Sequence, residues 1–251
     1  MALLCGLCIA NAQVNNDVFV PASIDTLKPD PDTSKGQFGY KQLIVPGALI
    51  GYGFAGLNSK WIKNLDTDAR NDIKNNTHTS IDEFTLYMPA ASVYALNAFG
   101  VKGKHNFKDR TIIFLTATLL SNGIVKTLKS ATGVTRPNGI VDNSFPSGHT
   151  NTAFVGAEFL WQEYKDVSVW YGVAGYTVAT ATGMMRLIND RHWVSDIVAG
   201  AGVGILSTKT AYWLHPYIND LLFGTKETTT TAMIMPFYNG NELGGSFVMQ
   251  F

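Results

Sequence analysis

Six stretches of this chain, at about 42–59, 84–101, 110–128, 149–162, 167–186 and 194–213, carry very little charge. Polar, turn-rich sequence such as Asn71-Asp72-Ile73-Lys74-Asn75-Asn76 separates them. A chain divided in this way must bury long apolar segments against one another or against lipid. Val, Thr and Ala are common in the segments, but their lengths favour helices over strands. The sequence therefore predicts an all-α fold, a helical bundle of about six core helices. Two or three segments reach the ~18–20 uncharged residues of a membrane span. Glu158 interrupts the fourth and Glu163 follows at its end, Lys209 sits in the sixth, and mean hydropathy is only +0.06. A soluble or membrane-apposed bundle is expected ahead of a six-span protein.

The ends of the chain differ from this middle. Residues 1–12 hold both cysteines, Cys5 and Cys8, in an apolar run that stops at Ala10-Asn11-Ala12, a pattern suited to signal-peptidase cleavage. No positive n-region precedes the run, so it reads as a truncated export signal, with a buried N-terminus as the other reading. Cleavage would leave no cysteine and hence no disulfide framework. Residues 13–41, with Lys28-Pro29-Asp30-Pro31-Asp32, read as an extended arm. Residues 42–220 form the helical domain and 221–251 a tail. Within the tail, two apolar runs flank Asn239-Gly240, which predicts a short C-terminal β-hairpin.

Lys and Arg together number 19, as do Asp and Glu. No global field favours nucleic acid, so an anion site must be local. Three blocks concentrate polar groups. The first is Lys129-x6-Arg136-Pro137, the second Pro146-Ser147-Gly148-His149, the third Arg186-x5-His192-x3-Asp196. The second block opens an apolar run, so Ser147 can cap a helix whose first N–H groups, with Gly148 beside them, can hold an anion. His192 and Asp196 stand i,i+4, which on a helix makes them neighbours. The carboxylate can then hold one ring N–H and leave the other nitrogen to attack. Asn189-Asp190 supplies a break that turns Arg186 back toward them. Lys129, Arg136 and Arg186 give three positive charges for a phosphate-sized dianion, and His149 can protonate a leaving oxygen.

In order and spacing these blocks resemble the three signature motifs of the type 2 phosphatidic acid phosphatases. That superfamily also includes bacterial class A acid phosphatases and vanadium haloperoxidases. The resemblance implies a phosphoric monoester hydrolase in which His192 becomes a phosphohistidine and Asp196 orients it. His149 is then acid and afterwards base, while Lys129, Arg136, Ser147, Gly148 and Arg186 bind phosphate. It implies a phosphate-ester substrate, lipid phosphates before small soluble esters, and no cofactor. An exported, envelope-located protein with peripheral or integral membrane contact fits this picture; the oligomeric state is open. Met185 stands where the family has Ser before the third-motif Arg, which removes a hydrogen-bond donor. Vanadate held at His192 in a haloperoxidase, and an inactive anion-binding protein, are the alternative functions.

Other features have plainer readings. His78, His105 and His215 lack companion motifs and read as surface or packing residues. Asp82 and Glu83 read as a polar helix start. Gly200-Ala201-Gly202-Val203-Gly204 lacks a preceding strand and reads as a site of close helix approach. No cluster has metal-ligand spacing, so no metal is called for.

Overall fold

The computed structural model describes residues 39–73, 80–224, 231–238 and 243–250. The expected export signal, most of the arm, and His78 lie outside the described residues. Eight helices appear among those described: α1 Lys41–Asn58, α2 Lys60–Ile73, α3 Asp82–Thr85, α4 Met88–Ala98, α5 Phe107–Thr132, α6 Gly148–Tyr164, α7 Val169–Ile188 and α8 Val194–Phe223. Six of them, α1 and α4 to α8, correspond to the six low-charge segments. The second segment gains a break at Leu86-Tyr87 that sets off the single turn α3.

Local sequence sets the helix ends. Asn106 caps α5 by accepting the Asp109 N–H at 2.9 Å, and the helix stops at Gly133, in left-handed conformation at φ 53°. Ser147 caps α6, accepting the Thr150 N–H at 3.4 Å. Helix α6 is the centre of the bundle, packed against α4, α5, α7 and α8. Its Val155, Phe159, Leu160 and Tyr164 form one core with Val93, Ile113, Ala117 and Ala211.

The close approach of α8 depends on glycine. A Cβ on Gly204 would lie 2.6 Å from the Asn151 carbonyl oxygen and 3.0 Å from the Val155 nitrogen, both backbone atoms of α6. One on Gly200 would lie 2.6 Å from the Ser147 carbonyl oxygen, at the start of α6. The glycine run is therefore a helix-packing surface.

The charges that interrupt the apolar segments point inward. Glu158 is buried, with Lys209 Nζ at 2.9 Å, and accepts from Tyr176 and Gln162. Buried Glu163 meets His105 Nδ1 and the Tyr212 hydroxyl, each at 2.7 Å. His105 is thus the partner of a buried carboxylate, not merely a surface residue. Large apolar side chains meanwhile face out, Leu119 at 74% exposure and Trp170 at 73%. Among the described residues α5 is the one helix long and apolar enough to cross a membrane, and only 22% of its apolar window is buried.

The fold class needs one correction: the folded unit is an all-α bundle, and the expected C-terminal β-hairpin is no part of it. Thr231–Tyr238 and Leu243–Gln250 have extended backbone paired only with each other, and among the described residues neither touches a helix. The Asn239-Gly240 turn lies outside the described residues. A lone two-stranded pair with no third strand and no helix beneath it has too little to bury. The local turn signal therefore adds no layer to the fold.

Gly204→Ala should destabilise the bundle by about 1–3 kcal/mol, because backbone rather than a flexible side chain opposes the added methyl. Thermal unfolding of the variant beside the parent protein checks this; an unchanged midpoint would contradict it.

Candidate active site

The starts of α6 and α8 are pinned together: the Ser147 backbone N–H donates to the Asp196 carbonyl at 3.0 Å. His192 does not lie on α8. It precedes the cap residue Trp193, and Asp196 is the third residue of the helix, so the expected i,i+4 pairing on one helix is replaced by a capping arrangement. The Asp196 carboxylate turns back to accept the Trp193 N–H at 2.9 Å. The same oxygen lies 3.4 Å from His192 Nδ1. His192 is almost wholly buried.

A residue outside the three motifs completes this contact. Buried Ser144 donates its hydroxyl proton to Asp196 Oδ2, and its oxygen lies 3.3 Å from His192 Nδ1. A hydroxyl has one proton, and here it is spent on the carboxylate. Ser144 therefore meets Nδ1 as an acceptor, which places the ring proton on Nδ1 and the lone pair on Nε2. Burial, with Lys129 and Arg186 adding to it against the opposing Asp196, lowers the His192 pKa to about 4. A pKa held that low leaves the ring a neutral imidazole at neutral pH.

The cations arrive from three elements. Lys129, in the last turn of α5, donates Nζ to the carbonyls of Asn143 and, at 3.2 Å, Ser144. The loop from α5 to α6 folds on itself through Ser144 N–H to the Val134 carbonyl (2.8 Å) and Arg136 N–H to the Val141 carbonyl (3.0 Å), which sets Arg136. Arg186 comes from the last turn of α7. Lys129, Arg136 and Arg186 act on one another electrostatically, and burial followed by Arg186 and Arg191 depresses the Arg136 pKa. The Nε atoms of Arg136 and Arg186 are buried and donate to no acceptor among the described residues. Beside Gly148, the first residue of α6, a Cβ would find only Val125 Cγ1, at 4.0 Å. An anion can therefore approach this backbone.

His149 is the second residue of α6. Its pKa is lowered by burial and then by Arg186, against Asp82 and Glu83. Asp82 does open the short helix α3, as its position suggests, but that is not all it does. It is buried, pairs with Arg186 Nη1, and accepts from Asn189 Nδ2 at 3.2 Å. Ser144 and Asp82 carry no motif spacing, and only the fold brings them in. Met185 is half-buried on α7.

The geometry can hold a tetrahedral dianion between three cations and a helix start, with a neutral imidazole and a second histidine beside it. Known proteins resemble this chain over part of its length. The family model described as PAP2 superfamily matches residues 110–220. A "Lipid A 1-phosphatase" from Porphyromonas gingivalis is 38% identical over 172 residues, which is 65% of this chain and 39% of that protein. The "Bacitracin transport permease protein BcrC" from Bacillus licheniformis is 33% identical over 79 residues, 32% of this chain and 37% of that one. The chain thus spans under two-fifths of the length of either relative. A solved structure titled as the first transmembrane PAP2 type phosphatidylglycerolphosphate phosphatase, from Bacillus subtilis, shares the fold with TM-score 0.50 and 19% identity. The match covers 73% of this chain and 98% of that one. The three motifs fall within residues 110–220, and over that segment the chain is similar to the PAP2 superfamily.

Proposed function

We propose that this protein is a metal-independent phosphatase that hydrolyses phosphate esters, preferably those of lipids, through a phosphohistidine at His192. The observation that carries the reading is the neutral, buried His192, its lone pair fixed on Nε2 by Ser144 and Asp196, beside three cations. Nε2 attacks phosphorus and the bond to the leaving oxygen breaks. His149 gives that oxygen its proton. Water then attacks the phosphohistidine, His149 takes the water proton, and phosphate leaves with His192 neutral again. Lys129, Arg136, Arg186 and the N–H groups at the start of α6 hold the oxygens that gain charge, so the protein supplies by fixed cations what a metal would otherwise supply.

A lipid substrate is supported by the outward apolar side chains, by the exposed apolar α5, and by the lipid phosphate in the name of the Porphyromonas relative. The same features support membrane association at the cell envelope.

His192→Ala should lower para-nitrophenyl phosphate turnover by at least about 10³-fold. His149→Ala should lower it by about 10²–10⁴-fold, most for esters with poor leaving groups. Robust hydrolysis by the His192→Ala protein would overturn the reading.

The two histidines also set the pH profile of kcat/KM. His192 must be neutral, so the rate is lost as pH falls through about 4. His149 must start protonated, so the rate is lost again as pH rises past a pKa held below the ordinary 6.5. The expected profile is bell-shaped with an acidic optimum. Asp82 raises the His149 pKa, so Asp82→Asn should move the basic limb to lower pH. A rate that keeps climbing above neutral pH would contradict this assignment.

A further inference from the structure

Helix α2 (Lys60–Ile73) precedes the segment matched by the family model and holds none of the three motifs. Yet two of its side chains, one turn apart, grip the loops that carry those motifs. Asp66 is buried, and its Oδ2 accepts the Ser195 backbone N–H at 3.3 Å together with the Ser195 hydroxyl. Ser195 lies in the first turn of α8, between Trp193 and Asp196. Arg70 forks onto Asp190, Nε to Oδ1 at 2.5 Å and Nη2 to Oδ2 at 2.8 Å. Its Nη2 also donates to the Pro137 carbonyl at 3.2 Å, and its guanidinium lies 5.8 Å from the Trp193 ring centre.

Asp190 is no ordinary surface carboxylate. It has φ 57° and ends α7 in a left-handed turn: its N–H bonds to the Leu187 carbonyl at 3.0 Å, and the Arg191 N–H to the Arg186 carbonyl at 3.0 Å. Glycine usually fills that position. Here a carboxylate stands in it, between Arg186 and His192, and Arg70 holds it. The Pro137 carbonyl follows Arg136, so one guanidinium ties together the loops of two phosphate-facing arginines and the nucleophile. A cavity of about 530 Å³ lies beside these contacts, lined by Lys63, Asp66 and Thr67 of α2 and by Trp193, Ser195 and Asp196 at the start of α8.

We propose that α2 is a positioning element for the reaction centre, with Asp66 and Arg70 as its two working residues. Asp66 sets the first turn of α8 and through it the Asp196–His192 contact. Arg70 sets the spacing of Arg136, Arg186 and His192. The proposal rests on the phosphatase reading and names residues that the family motifs do not contain.

The two residues act on different parts of the site, which distinguishes positioning from simple support of the fold. Asp66→Asn should lower kcat by about 10–100-fold and leave inhibition by inorganic phosphate unchanged, because the cations stay in place. Arg70→Ala should lower kcat and also weaken inhibition by phosphate about tenfold, because Arg186 and Arg136 lose their common anchor. Arg70→Lys keeps the charge but not the fork and should recover only part of that loss. Asp190→Asn, which still tolerates the left-handed turn, should match Arg70→Ala, with the double variant no worse than either single. Rates are taken per folded molecule, well below each melting midpoint. Wild-type kcat and phosphate inhibition in Asp66→Asn, Arg70→Ala and Asp190→Asn, with only the midpoints lowered, would overturn the proposal. A parent protein without turnover would instead sink the phosphatase reading. Protection against unfolding by inorganic phosphate would then judge α2: weaker protection in Arg70→Ala supports the role, equal protection overturns it.

Discussion

The site depends on two helix starts being held closer than side chains ordinarily allow. Ser147 at the beginning of α6 donates its N–H to the Asp196 carbonyl in the first turn of α8, and Gly200 and Gly204 let the helices stay in contact beyond that point. Each helix start has unpaired N–H groups and a partial positive charge. Pressed together, they place the start of one beside His192, the proposed nucleophile, at the start of the other. Ser144 then needs only to reach across a few ångströms to fix the His192 tautomer. The glycines act through distance rather than by touching a substrate.

The same bundle accommodates an unusual distribution of polarity. Glu158, Glu163, Lys209 and His105 are paired inside, where an unpaired charge would cost several kcal/mol, roughly. Apolar side chains of α5 and α7 face outward. Along the sequence, charges within the apolar segments argue against six membrane spans. In three dimensions they satisfy each other and leave apolar side chains on the outer surface.

Much of the candidate site was legible because the proposed chemistry requires fixed residue types at fixed spacing. Lys129, Arg136, Ser147, Gly148, His149, Arg186, His192 and Asp196 could all be named as candidates, and the structure gathers them around the starts of α6 and α8. The long helices were legible from their lack of charge, and that same criterion hid α2. Its charged residues alternate with Trp61, Ile62, Leu65 and Ala69, so it reads as polar although one face is used. Ser144, Asp82, Asp66 and Arg70 were missed for another reason. Each reaches its partner over 48 to 129 positions of sequence, and only helix packing sets that distance. The hairpin signal at Asn239-Gly240 failed in the opposite direction, since a turn preference cannot supply the surface that a strand pair must bury.

Rapid quenching of turnover with a phosphorus-labelled substrate, followed by peptide mapping, tests the central claim most directly. The account predicts an acid-labile label on the peptide containing His192, formed before phosphate release and absent from the His192→Ala protein. A label on another residue, or single-step transfer to water with inversion at phosphorus, would contradict it.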